Sequence, residues 1–427
     1  MSLHDLLLDQ AKFELPQILQ KLYISRQISA NLAENSLIKV IMGPRRAGKS
    51  FFAIHQINSQ IKFAYVNFEE KRLVEGITPE LLFNNLQEIY QDVSVFFMDE
   101  VQNLPDWEEY ALLYQRRGID VIVTGSNSKL LQNEFATKLT GRYVPTFVFP
   151  FSFTEYLLTK GNIQKMTSLE KMTHLTKYLQ EGGFPATIIE PVDRYRYLRD
   201  LFDAILLKDI RDRYNIRKPG LLEDYAHYLM ANNAKELSFR NAANRLQTSS
   251  DTIATYFGYM VDAFLFFAIP RYSEKMHEQI VYNKKVYAID TGLANYNGFK
   301  ILDNIDRLYE NIVAIVLYYL MLLGEITVFY WKDNQDHEIE FVVKQGIEIV
   351  ALIQVAKEIE QNVTKTREIR SIIKGSPYFN CDNLIVLSES YESVEELTWF
   401  GITKKIRFIP LWKWLIMDYK EKISLPM

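Results

Sequence analysis

Residues 43–50 read Gly-Pro-Arg-Arg-Ala-Gly-Lys-Ser and follow directly on the apolar run Leu37-Ile38-Lys39-Val40-Ile41-Met42. This is a complete Gly-x-x-x-x-Gly-Lys-Ser phosphate loop, and it demands a strand, a tight loop and a helix in that order. Gly43 and Gly48 let the backbone curl with its N–H groups turned inward. Pro44, Arg45, Arg46 and Ala47 complete the cradle, at the start of a helix whose dipole favours negative charge. Lys49 is placed to reach the β- and γ-phosphates of a nucleoside triphosphate, and the Ser50 hydroxyl to ligate Mg2+. Phe51-Phe52-Ala53-Ile54 continue the helix that the loop requires.

A second apolar segment, Lys62 to Phe68, precedes a third, Val93 to Met98, which runs straight into Asp99-Glu100. An aspartate at the carboxyl end of a buried strand can hold magnesium, and the glutamate after it can polarise the water that attacks the γ-phosphate. The next strand, Asp120 to Thr124, ends in Gly125-Ser126-Asn127-Ser128, where Ser126 can contact the γ-phosphate and Asn127 can orient the lytic water. A fifth strand, Val144 to Phe149, follows Gly141-Arg142, and an arginine there can neutralise transition-state charge from its own chain or from a neighbouring subunit. Five strands alternating with helices predict a parallel sheet with its ligands at the carboxyl ends. No Asn-Lys-x-Asp guanine-reading motif occurs, so the pattern favours ATP over GTP.

A chain of 427 residues exceeds a single core and predicts several domains. The 49 Lys and Arg against 53 Asp and Glu confine any nucleic-acid surface to a local patch. With Cys381 its one cysteine and only six scattered histidines, the chain reads as cytoplasmic, without a disulfide or structural zinc. The longest apolar stretch, Ile312 to Leu323, is too short to cross a bilayer as a helix and reads as a buried one, so no membrane insertion is expected.

A largely helical lid or connector follows the sheet, broken at Gly182-Gly183-Phe184-Pro185. Residues 236–270 then carry a helix-turn-helix rhythm. Thr252, Thr255 and Tyr256 would face outward from its second helix, yet only Arg240 and Arg245 are basic. Packing against neighbouring domains is therefore favoured over DNA reading. Further on, Lys285 to Asp290 alternate as a strand, a helix containing Glu310 follows, and strands over Glu338 to Val343 and Glu348 to Lys357 come next. This is the outline of a restriction-endonuclease-like core, which cuts phosphodiesters by gathering acids and a lysine around magnesium. Here Gln354-Val355-Ala356 stands where Glu-x-Lys is needed, and Lys357 is one residue late and so on the opposite face of a regular strand. An inactive nuclease-like domain is favoured over active cleavage. The segment from Lys405 to Leu415 reads as an edge strand and a docking helix.

Taken together, Val40 to Ser50, Phe97 to Gln102, Val123 to Ser128, Leu139 to Tyr143, Val286 to Leu293, Tyr309 to Asn311, Glu338 to Val342 and Leu352 to Val355 resemble a family of bacterial and archaeal AAA-type ATPases. In that family the nucleotide domain is joined to an uncharacterised C-terminal domain related to the nuclease fold. The resemblance implies a multidomain α/β chain with a P-loop ATPase, a helical lid, a winged-helix-like middle segment and an α+β restriction-endonuclease-like domain. It implies ATP and Mg2+ as cofactors, with Gly43, Gly48, Lys49 and Ser50 binding them, Asp99 and Glu100 in the Walker B role and Arg142 as the arginine. Many relatives retain Glu-x-Lys at residues 354–356 and an aspartate at Glu340, so cleavage is not carried over. The expected domains are 1–34 (helical lead), 35–156 (ATPase core), 157–230 (lid), 231–275 (winged-helix-like) and 276–427 (nuclease-like, inactive). Hydrolysis coupled to conformational change is the leading function; a slow nucleotide-gated protein or DNA interaction module and an ATP-dependent nuclease are the alternatives. A homo-oligomer is expected if Arg142 acts across an interface, and a protein partner or DNA is the other class of partner.

Overall fold

The computed structural model describes residues 2–28, 37–57, 62–128, 139, 141–297, 305–357, 359, 364–399 and 401–423. The expected boundary between residues 34 and 35, and Thr140 of the Leu139 to Tyr143 motif, lie outside them. The chain divides into two compact units, residues 1–151 with 261–264, and residues 152–260 with 265–427.

The first unit is built on five strands, β1 (Ile38–Met42), β2 (Phe63–Asn67), β3 (Val95–Asp99), β4 (Asp120–Gly125) and β5 (Tyr143–Phe147), in the order β2-β3-β4-β1-β5. Every pairing is parallel. β1 and β3 are buried along their whole length, which is why they read as largely apolar runs and not as alternating ones; the exception inside β1, Lys39, pairs with Asp120 at 3.2 Å. Helices cover the sheet, and Phe52 and Phe97, both fully buried, pack with Ile41, Ile122 and Val148. Each such ring contributes about 1.5–3 kcal/mol by leaving water. The registers Met42 to Gly125 and Asn67 to Asp99 bring the carboxyl ends of four strands to one edge.

The second unit opens with a capping box at Ser152, whose hydroxyl accepts from the Glu155 N–H while Glu155 accepts from the Ser152 N–H. Four further α-helices, Ser168–Glu181, Pro185–Ile189, Arg194–Ala204 and Pro219–Ala231, lead to a small antiparallel sheet of β6 (Lys235–Leu237), β7 (Phe266–Ile269) and β8 (Lys284–Ala288), ordered β6-β8-β7. The helices Phe239–Arg245 and Ser250–Asp262 lie between β6 and β7. Ser238 caps the first, and Ser249 accepts from the Thr252 N–H at 3.1 Å to cap the second. Thr255 is exposed and Thr252 half-buried, but Tyr256 is buried, so its expected outward face is corrected. β8 was expected with the C-terminal domain; its hydrogen bonds go to β6 and β7 instead.

The Gly182-Gly183 break has a tertiary cause. Asp290 accepts from the Gly183 N–H at 2.7 Å and the Leu293 N–H at 3.0 Å, joining the end of one helix to the start of another. A Cβ at Gly182 would sit 2.2 Å from Asp290 Oδ1, and one at Gly292 would sit 2.5 Å from the Glu181 carbonyl oxygen.

A six-stranded mixed sheet completes the unit: β9 (Thr327–Lys332), β10 (Glu338–Gln345), β11 (Glu348–Val355), β12 (Leu384–Ser388), β13 (Ser393–Trp399) and β14 (Ile402–Pro410), ordered β13-β14-β12-β11-β10-β9. The expected edge strand near Lys405 is an inner one, β14, between β13 and β12. The true edge, β13, has no fully buried position and so no apolar run to betray it. The stretch Ile312 to Leu323 falls almost wholly within the helix Ile305–Leu322, most of whose side chains are buried. Among the described residues no helix is long and apolar enough to cross a membrane.

Candidate nucleotide site

Val148 N–H donates to the Met42 carbonyl at 2.7 Å, and a Cβ on Gly43 would lie 1.9 Å from the Val148 carbonyl oxygen. Only glycine lets the loop leave β1 against that backbone. Gly48 (φ 92°) and Arg46 (φ 66°) are left-handed, and the helix Lys49–Gln56 starts directly after them. Lys49 is 3% exposed; its Nζ donates to the Pro44 carbonyl at 3.1 Å and lies 3.9 Å from Glu100 Oε1. Pro44 and Ala47 are buried, Arg45 pairs with Glu69 at 3.0 Å, and Arg46 is exposed.

Asp99 ends β3 and is the polar centre of the site. Its Oδ1 accepts from Ser50 Oγ at 2.9 Å and from the Thr124 hydroxyl, and its Oδ2 from the Tyr65 hydroxyl at 3.4 Å. Burial pushes its carboxyl up to about 6, the neighbouring Glu100 charge adds to this, and Thr124, Ser50 and Lys49 pull against it. A buried acid short of positive charge, touching a hydroxyl at the foot of a phosphate loop, fits Mg2+. Among the described residues no group of three or more His, Cys, Asp and Glu side chains could hold a metal. Any magnesium here would therefore draw further ligands from triphosphate and water.

Glu100 follows in a left-handed conformation, φ 54°, a strained state for a residue with a side chain. Its N–H donates to Thr124 Oγ1 at 3.0 Å. Ser126 and Asn127, just beyond β4, are 1% and 3% exposed. Thus Gly43 to Ser50, Asp99, Glu100, Ser126 and Asn127 all follow the carboxyl ends of β1, β3 and β4.

Arg142 does not join them. It is exposed and precedes β5, whose first residue, Tyr143, is in register with Ile38 at the amino end of β1. The phosphate loop leaves the other end of β1, about 16 Å away at roughly 3.3 Å per residue. An Arg142 role on its own chain's phosphates is corrected by this edge reversal.

Sequence reasoning missed Thr124, Tyr65, Glu14 and Arg26. Glu14 Oε1 accepts from the Tyr65 hydroxyl and the Asn67 amide, each at 2.8 Å, and Gln10 exchanges hydrogen bonds with the Asn67 backbone. Burial, Asp99 and Glu14 hold the Tyr65 phenol far above its usual range, so it is always a donor. Arg26 donates to the carbonyls of Ala47, at 3.0 Å, and Phe149. Only Thr124, at a strand end, carried a local signal.

In the second unit Gln354 is buried and stands opposite Glu340, whose N–H donates to Gln354 Oε1 at 3.3 Å and whose Oε2 accepts from the Val355 N–H at 2.6 Å. Lys357 lies past the end of β11, so strand alternation does not govern it. Lys285, from β8, supplies the positive charge instead: its Nζ is 2.9 Å from Glu310 Oε1 and also contacts Glu338, while Tyr287 donates to Glu310 at 2.7 Å. Burial opposes the Lys285 charge, but Glu310, Glu338 and Glu340 outweigh it and hold its ammonium above the usual value.

Residues 35–157 match the family described as AAA domain, and residues 172–301 match a domain of unknown function (DUF8612). Residues 35–157 are thus an AAA-type ATPase domain, in a chain with a parallel sheet flanked by helices and a separate mixed-sheet C-terminal part. The chain is 33% identical over 410 residues to the uncharacterized protein MJ1544 of Methanocaldococcus jannaschii, covering 92% of this chain and 90% of that one, and it belongs to that protein's family. An uncharacterized Haemophilus influenzae protein is 28% identical over 388 residues, 85% of this chain and 92% of its own. AMPPCP-bound DnaA from Aquifex aeolicus aligns with a TM-score of 0.28 and 12% identity, over 52% of this chain and 81% of that one. A structure titled for katanin self-assembly aligns with a TM-score of 0.25 and 14% identity, over 60% of this chain and 82% of that one. Likenesses that loose carry no argument here.

Proposed function

We propose that the chain hydrolyses ATP with Mg2+ at the carboxyl edge of the first sheet and uses the cycle to change the state of the second unit. The observation that carries this is the convergence of Lys49, Ser50, Asp99 and Glu100 on one edge. The phosphate-loop amides and Lys49 bind the phosphates, and Ser50 and Asp99 would hold the cation, which when bound would supply positive charge to offset that on the γ-phosphate. Glu100 takes a proton from water as the water oxygen bonds to the γ-phosphorus. The bond to the ADP oxygen breaks, and ADP leaves with its electron pair. Ser126 and Asn127 contact or orient the γ-phosphate and the water.

Arg142 serves a neighbouring subunit, because its own phosphate loop is on the far edge. The protein is therefore a homo-oligomer when active, and an isolated chain is a slow, nucleotide-gated module. The order of helices and strands over residues 219–288 supports a winged-helix-like domain. DNA is the weaker partner, since Arg240 and Arg245 are the only basic residues of its helix pair. In the nuclease-like part Lys285 neutralises the acids where Glu-x-Lys is missing, so that part binds or assembles and does not cut.

The test is steady-state ATP turnover over a range of protein concentrations, with and without duplex DNA. Glu100→Gln should abolish turnover while ATP still binds; full turnover in that variant would sink the assignment. Glu100→Gln mixed with Arg142→Ala should regain part of the activity if the arginine acts across an interface. Two inactive variants that stay inactive when mixed would remove that role.

A further inference from the structure

Glu100 is held at its backbone by Thr124, but a general base needs its carboxylate held as well. The turn Val101–Asn103 begins immediately after Glu100 and brings Gln102 back towards it. Gln102 Nε2 donates to Glu100 Oε2 and lies 3.3 Å from Ser126 Oγ, so one amide ties the residue after β3 to the residue after β4. The bond occupies Oε2 and leaves Oε1, the oxygen 3.9 Å from Lys49 Nζ, for the reacting side. Gln102 Oε1 is buried and has no hydrogen-bond partner among the described residues. That unsatisfied acceptor leaves the amide's hold on the site to its Nε2 alone.

Resting on the ATPase reading, we infer that Gln102 is a positioning residue for hydrolysis: it orients the Glu100 carboxylate and couples it to Ser126. Among the described residues no hydrogen bond joins it to the loop or to the Asp99–Ser50 pair, so ATP affinity is not its task. An alanine removes the amide and its hold on Glu100. A glutamate keeps the size but sets a second carboxylate against Glu100.

Gln102→Ala and Gln102→Glu are compared with wild type and Glu100→Gln by single-turnover ATP hydrolysis, at the protein concentration of maximal wild-type turnover. A fluorescent ATP analogue gives the dissociation constant. The expected result is a hydrolysis rate lower by about ten- to hundredfold in both Gln102 variants, with the dissociation constant within about twofold of wild type. Wild-type rates in both variants, with Glu100→Gln inactive, overturn the Gln102 role alone. A rate loss matched by an equal loss of ATP affinity makes Gln102 merely structural and also overturns it. An active Glu100→Gln, or a wild type that never turns over, overturns this role together with the ATPase site.

Discussion

Asp290→Asn tests the link between the Gly182-Gly183 break and the helix that begins at Thr291. Asp290 is 3% exposed, and burial pushes its carboxyl up to about 6 although the N–H groups of Gly183, Leu293 and Gly292 all pull it down. The gap between about 6 in the folded chain and the ordinary 3.8 corresponds to about 3 kcal/mol. Because the folded state binds this proton more tightly, the stabilisation is fully present below pH ~3.8 and is lost as pH rises through about 6. Between pH 5 and 7.5 the loss is about 1 kcal/mol. Asparagine cannot ionise, and its amide turns one N–H group against another, a fixed cost of about 1–3 kcal/mol. The assay is urea unfolding followed by tryptophan fluorescence. Four of the five tryptophans, Trp331, Trp399, Trp412 and Trp414, belong to the second unit, so the signal reports mainly on the part that holds Asp290. Wild type should exceed the variant clearly at pH 5 and by about 1 kcal/mol less at pH 7.5. A difference that stays constant across that range would refute the reasoning.

Two further substitutions probe the site and the second unit. Gly43→Ala drives a Cβ against the Val148 carbonyl at 1.9 Å; ATP affinity should fall about tenfold or more, equivalent to at least ~1.4 kcal/mol. Unchanged binding in a fluorescent-nucleotide titration would mean that the loop yields freely. Lys285→Met strands the Glu310 and Glu338 carboxylates, half of a buried network, and should cost about 3–5 kcal/mol in the same urea assay. A cost below about 1 kcal/mol would show that these ion pairs contribute almost nothing net to stability.

The phosphate loop, the strand before it and the acids after β3 were legible without a structure. Their chemistry is contiguous, since a backbone cradle, its lysine and its hydroxyl must follow one another within eight residues. Fully buried strands also advertise themselves as apolar runs, as β1 and β3 largely do, whereas β13 alternates half-buried and exposed residues and passed unseen.

What only the tertiary structure decided is where distant residues meet. Strand order and parallel register set Arg142 at the edge opposite the phosphate loop, although both flank strands that pair directly. Lys285 reaches Glu310 and Glu338 from a different sheet, Asp290 reaches Gly183 across 107 residues, and Glu14 reaches Tyr65 across 51. Local sequence encodes backbone conformation and burial, because both depend on neighbours within a few positions. Long-range ion pairs and hydrogen bonds depend on packing, and packing brings residues together with little regard to their separation along the chain.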